Sequence, residues 1–254
     1  MAEVPTGLLV FAFLAGAALL VLWLHPRLPP QHLSKETTDI VRLGVGVVAT
    51  ITALVLGLLI SSVKGGFDQV NHDVQTFATR LILTDRALRL YGPGAEEARA
   101  LLTRYTELAL HETWPQDNRA AVVEDPQAGA LLDQAEAAIL ALPPDPRRPG
   151  LADRAGDAIR DVVRQRWALI EESGSTLSPL LILALTLWLG LIFASFGYNA
   201  PRNGMVVIVL VVCAASVAGA LFLIVEMDGA FTGLIAVSSQ PVARALAHMQ
   251  QQPM

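Results

Sequence analysis

Val41–Gly66 reads VRLGVGVVATITALVLGLLISSVKGG, and its middle, Leu43–Val63, carries no Asp, Glu, Lys or Arg over 21 residues. A helix of that length rises by about 30 Å, enough to cross the hydrocarbon core of a bilayer. Three other stretches are equally free of charge: Val4–Leu24, Leu177–Gly197 and Gly204–Val225. The whole chain of 254 residues is 53% hydrophobic and only 16% charged, against a globular norm of about 25%. A soluble enzyme is excluded on that basis. The single cysteine, Cys213, sits inside an apolar run, which excludes a disulfide-stapled domain and a zinc module. A net charge of −5 gives no support to nucleic-acid binding.

Outward from this stretch, the chain predicts an all-α membrane protein with four transmembrane helices arranged as two hairpins. The first hairpin covers residues 1–63. Its leading span lacks the basic flank and small-residue cleavage site of a signal peptide, so it is expected to be a retained helix, with Trp23 at an interface. A Pro- and His-rich loop, His25 to Ile40, joins it to the second span. The second hairpin, 177–227, turns through Tyr198–Asn203, where Pro201 and Asn203 suit a tight turn. Residues 228–254 follow as a C-terminal tail.

Between the hairpins, residues 64–176 hold 13 Lys/Arg and 18 Asp/Glu and read as a water-facing helical domain. Four amphipathic segments follow from 3/4 periodicity. Phe67, Val70, Val74, Phe77, Leu81, Leu88 and Tyr91 mark the first. Ala98, Leu101, Tyr105 and Leu108 mark the second, which Trp114-Pro115 stops. The third spans Gln127–Leu142. A Pro/Arg connector containing Arg147 and Arg148 reads as a solvated linker and precedes the fourth, Leu151–Glu172. Only Gly65-Gly66 separates the second span from the first soluble segment, so one helix of roughly 75 Å is expected, with a kink possible at the Gly pair.

The second span carries the most function. Gly46, Thr50, Ala53, Gly57 and Ser61 fall within about 80° of one another on a helix. Arg42 and Lys64 close the stripe at its two ends. Around a shared axis, such faces would line a narrow uncharged path with cationic mouths, which favours anions. The alternative is close helix packing through small residues. A second candidate is the interfacial acidic motif Glu226 and Asp228. Carboxylates beside a Gly-containing turn suit a hard cation, but too few ligand oxygens accompany them, and pairing with an Arg of the central domain is the competing reading. His25, His32, His72, His111 and His248 are never spaced as metal ligands, and no metal, cofactor or catalytic residue is expected. The chain is not expected to be an enzyme.

Four segments carry a family resemblance: ALVLGLLISSVKGGFD (Ala53–Asp68), TDRALRLYGP (Thr84–Pro93), IFASFGYNAPRN (Ile192–Asn203) and LFLIVEMDGAFTGLIAVSS (Leu221–Ser239). Together they resemble the bacterial bestrophin-like domain family and, more distantly, the bestrophin anion channels. The resemblance implies homopentamers, a pore lined by the second span and passage of an anion such as chloride. It also implies an element after the fourth span, here Glu226, Asp228, Phe231 and Gly233. Ala230 stands where the family tends to have Pro, and the acidic run of calcium-gated bestrophins is absent. Bestrophin necks carry bulky apolar side chains, whereas this stripe is Gly, Ala, Thr and Ser.

The expected function is therefore an oligomeric protein of the bacterial inner membrane with a central ion pathway and lipid around it. The basic residues nearest the spans lean toward a cytoplasmic central domain: Lys64, Arg80, Arg160, Arg164, Arg166 and Arg244 on its side, Arg27, Lys35, Arg42 and Arg202 opposite. The alternative function is a membrane-anchored scaffold or sensor without a pore, binding a partner or another subunit through the Phe67–Tyr91 face.

Overall fold

The computed structural model describes residues 3–27, 35–115, 121–144, 149–174 and 177–251. Among them the chain is helical and has no strand. The helices are α1 (Glu3–Leu24), α2 (Lys35–Tyr91), α3 (Glu96–Thr113), α4 (Pro126–Leu140), α5 (Leu151–Glu172), α6 (Pro179–Asn199), α7 (Gly204–Asp228) and α8 (Gln240–Gln251). Four of them, α1, α2, α6 and α7, are long and apolar enough to cross a membrane. The linker arginines Arg147 and Arg148, and His32 of the first loop, lie outside the described residues.

Helix boundaries follow local chemistry. Asp125 caps α4 by accepting from the Ala128 amide at 2.7 Å, and Pro126 takes the first helical position, where no amide is needed. Asn203 does the same for α7, its Oδ1 accepting from the Val206 amide at 2.8 Å. Gly150 precedes α5 with φ of 82°, a left-handed conformation that a side chain would strain. Gly65 and Gly66 are helical within α2, so its 57 residues form one element of roughly 85 Å.

The chain divides into two compact units. The first comprises residues 1–65 and 175–228. The four candidate spans come as two consecutive pairs, α1 with α2 and α6 with α7, as expected of two hairpins. Helix α1 packs against both α6 and α7, whereas α6 and α7 scarcely touch each other despite their short connection. The cause is the small-residue content of α1 and α6. Ala15 and Ala18 are buried on α1, and a Cβ at Gly197 of α6 would collide with the Ala18 carbonyl oxygen. A Cβ at Gly190 would sit 2.5 Å from the Phe13 ring. Backbones thus meet directly, which is how helices associate where lipid removes the hydrophobic drive. Leu14, Leu185, Leu189, Phe193, Leu210 and Ala214 complete the core, and α2 adds Leu59 and Val63. The C-terminal carbonyls of α1 are satisfied by arginine. Arg202 donates to the Leu22 and Trp23 oxygens at 2.8 Å each, and Arg27 stacks 3.7 Å above the Trp23 ring.

The second unit comprises residues 66–174 and 229–254. Its core joins Val70, Val74, Phe77, Leu81 and Leu88 of α2 to Leu102 and Tyr105 of α3, Leu132 and Ile139 of α4, and Ile159 and Val162 of α5. Each fully buried Leu or Ile contributes about 1.5–3 kcal/mol. Burial pushes the Tyr105 phenol above its ordinary range, and its ring meets Phe77 edge-on at 6.3 Å. The α2 stripe expected to serve a partner is thus core: the five residues are at most 6% exposed, leaving no such face to bind. The chain after α7 also belongs to this core, through Phe231, Val237 and the α8 residues Val242, Ala245 and Met249.

Candidate functional site

In the first unit, α2 presents three strips. Thr52, Leu59 and Val63 are buried, with Val45, Val48, Val55 and Leu56 partly buried beside them, and this strip faces the core. Large apolar residues form an exposed strip: Leu43, Val47, Ile51, Leu54 and Leu58, the last two each 65% exposed. Gly46, Thr50, Ala53, Gly57 and Ser61 form the third strip, and every one of them is exposed within the single chain. At 100° per residue this small strip is rotated by roughly 130° from the core strip and roughly 90° from the large one. Ile60 borders it on one edge, and Leu43 and Leu54 of the large strip border it on the other.

A Cβ added at Gly46 or Gly57 would meet no atom within 4 Å. Close packing inside the chain therefore does not explain these glycines. Thr50 returns its hydroxyl hydrogen to the Gly46 carbonyl at 2.9 Å, which leaves the oxygen lone pairs and methyl on the surface. Arg42 and Lys64 are exposed at the two ends of the strip, and both take part in polar or electrostatic interactions.

The acidic motif lies elsewhere. Glu226 is 1% exposed in the last turn of α7, and Asp228, its final residue, is half-buried. Both have interaction partners. Among the described residues no group of three or more His, Cys, Asp or Glu is placed to hold a metal ion. The turn that follows is held within the second unit. Val237 donates its amide to the Ala230 carbonyl at 2.8 Å and accepts from the Trp114 indole at 2.7 Å, and the Trp114 ring stands edge-on to Phe231 at 5.4 Å. Trp114, read from sequence as a helix stop, is thus also the residue that docks this turn.

Other important residues were not singled out from sequence. Asp85, fully buried, accepts from Arg89 Nε at 3.0 Å and Arg99 Nε at 2.6 Å, and Arg99 also donates to the Met249 carbonyl. This cluster ties α2, α3 and α8 together, and buried pairs of this kind are costly to break. The i,i+4 spacing of Asp85 and Arg89 is its visible trace. Gly190 and Gly197 are a second case, signalled by their seven-residue spacing within an apolar run.

Four candidate spans on an all-α fold, one of them with a small and partly hydroxylated surface strip, define an integral membrane protein. The model of the bestrophin-like domain family matches residues 12–242, and the chain belongs to that family. Membership relates it to the bestrophin anion channels. Comparison with curated proteins and with solved structures gave no match.

Proposed function

We propose that copies of this chain assemble around an axis with the small strip of α2 turned inward, forming an ion pathway that passes anions such as chloride. Gly46, Thr50, Ala53, Gly57 and Ser61 line the passage, and Arg42 and Lys64 raise the local anion concentration at its mouths. A homopentamer in the bacterial inner membrane, with the Lys64–Thr176 region in the cytoplasm, fits the family and the distribution of basic residues. Glu226 and Asp228 act as an interfacial acidic element at the end of α7.

The observation that carries this reading is the exposure of the small strip along the whole membrane-spanning length of α2, next to a separate strip of large apolar side chains. Lipid is satisfied by the large strip. A strip of glycine and hydroxyls offers lipid little contact, but it leaves room and hydrogen-bonding oxygen for a hydrated ion.

Chloride efflux from proteoliposomes, with the detergent-corrected mass of the same preparation, tests the proposal. An assembly of several 27.1 kDa chains with efflux above empty vesicles is expected. A monomer, or an assembly that leaks no faster than protein-free vesicles, would sink it.

A further inference from the structure

Within the second unit, α2 and the start of α8 stand on two sides of an open groove of about 500 Å³, the size of a small-molecule site. Its polar lining comes from Asn71, Gln75 and Thr79 of α2 and from Ser238, Gln240 and Arg244 opposite. Both walls are anchored. Ala78 of the α2 wall is buried, and Val242 and Ala245 fix α8 in the core. Val237, just before Ser238, is held by its bonds to Ala230 and Trp114.

No carboxylate lines the groove, and α8 contains no Asp or Glu, so Arg244 is the one charge in the lining. Arg80, Arg89, Arg99, Arg160 and Arg164 of the same unit each pair with an aspartate. Among the described residues Arg244 has no such pair. Its Nε donates to the Gln240 carbonyl at 3.4 Å, a long bond that leaves both terminal NH2 groups for an anion. The side-chain amides of Asn71, Gln75 and Gln240 are also unengaged among the described residues. Thr79 gives its hydroxyl hydrogen to the Gln75 carbonyl at 2.9 Å and keeps its acceptor lone pairs. Ser238 accepts from the Gln240 amide at 3.2 Å and keeps its hydrogen to donate.

We propose that this groove binds a small hydroxylated carboxylate, with the carboxylate on the Arg244 guanidinium and the hydroxyls among Asn71, Gln75, Thr79 and Gln240. One guanidinium matches one negative charge, and its planar fork fits the two oxygens of a carboxylate. A ligand ammonium group would face Arg244 with no acid in the lining to balance it, which sets amino acids aside. The amides and the Thr79 and Ser238 oxygens place donors and acceptors side by side. Hydroxyl groups, which both donate and accept, satisfy that mixture. Ala78, Ile82 and Pro241 offer apolar surface to the carbon skeleton.

The whole lining belongs to the second unit, so the site can be tested whether or not the protein conducts ions. The probe is sodium D-gluconate, titrated against the full-length protein in detergent and read by saturation-transfer NMR. Saturable binding with a Kd of about 1 mM or below is expected for a ligand of this size. D-Glucose, which lacks the charge, and D-glucosamine, which reverses it, should bind at least about tenfold more weakly. Arg244 is exposed, so Arg244→Gln should leave the melting temperature unchanged while weakening gluconate at least about tenfold. Gln75→Leu, on the opposite wall, should weaken it about fivefold. The site is overturned by an absence of saturable binding, by unchanged affinity in Arg244→Gln, or by glucose binding as well as gluconate. Inorganic phosphate binding more tightly than gluconate would overturn the carboxylate assignment.

Discussion

At Gly197 of α6 an added side chain collides with the backbone of α1, whereas at Gly57 of α2 it meets nothing within 4 Å. Both glycines lie in charge-free apolar stretches, Leu177–Gly197 and Leu43–Val63, and their sequence surroundings are hardly distinguishable. In α6 the missing side chain lets two backbones touch and so builds the membrane core. In α2 the missing side chain leaves a clear strip on the surface, beside a second strip of large apolar residues. Small residues in a membrane helix therefore carry two meanings, close approach or vacancy. Only the position of the neighbouring helix separates them.

The largest expected effect comes from closing the tight side of this contrast. Gly197→Leu has no room to relax, because the obstacle is main chain, and should abolish recovery of folded protein from membranes, a loss well beyond about 3 kcal/mol. Normal yield and size-exclusion behaviour for this variant would break the comparison. Next in size is the double change Thr50→Leu with Gly57→Leu. It should remove most chloride efflux while circular dichroism and assembled mass stay unchanged. Loss of assembly instead would make the strip a packing interface. The smallest effect is expected for Gly57→Ala, which should leave the fold intact and raise thermal stability slightly, by up to about 1 kcal/mol, because alanine favours helix and no contact is disturbed.

Much of the fold was legible because two periodicities dominate it. Charge-free runs of 21 or 22 residues mark the spans, and the 3/4 stripe from Val70 to Leu88 marks the core face of α2. Helix α5 was read with its observed ends, Leu151 and Glu172. What escaped were matters of pairing. Chain order shows the two hairpins but not which spans touch: α1 lies against α6 and α7, where Ala15, Ala18 and Gly197 allow it, and the seven-residue spacing of Gly190 and Gly197 is the trace this leaves. The alternative of a partner-binding stripe stayed open for a related reason, since an apolar helix face looks the same whether its own chain or another covers it. The α2 strip itself was visible as a pattern of small residues. That it stays open within the chain required coordinates. The Asp85 cluster escaped because Arg99 and the Met249 carbonyl that complete it are distant in sequence.

The central claim is that the small strip of α2 faces water and the large strip faces lipid. The sharpest test replaces Cys213, the single cysteine, by Ala and introduces thiols one at a time by Thr50→Cys, Gly57→Cys, Leu54→Cys and Leu58→Cys. Each purified protein is reconstituted and exposed to a membrane-impermeant thiol reagent, which attacks only the hydrated thiolate. Modification at positions 50 and 57 should outpace that at 54 and 58 by about 100-fold or more, since thiolates do not form in the hydrocarbon core. Equal and negligible rates at all four positions would contradict a water-filled passage along this face.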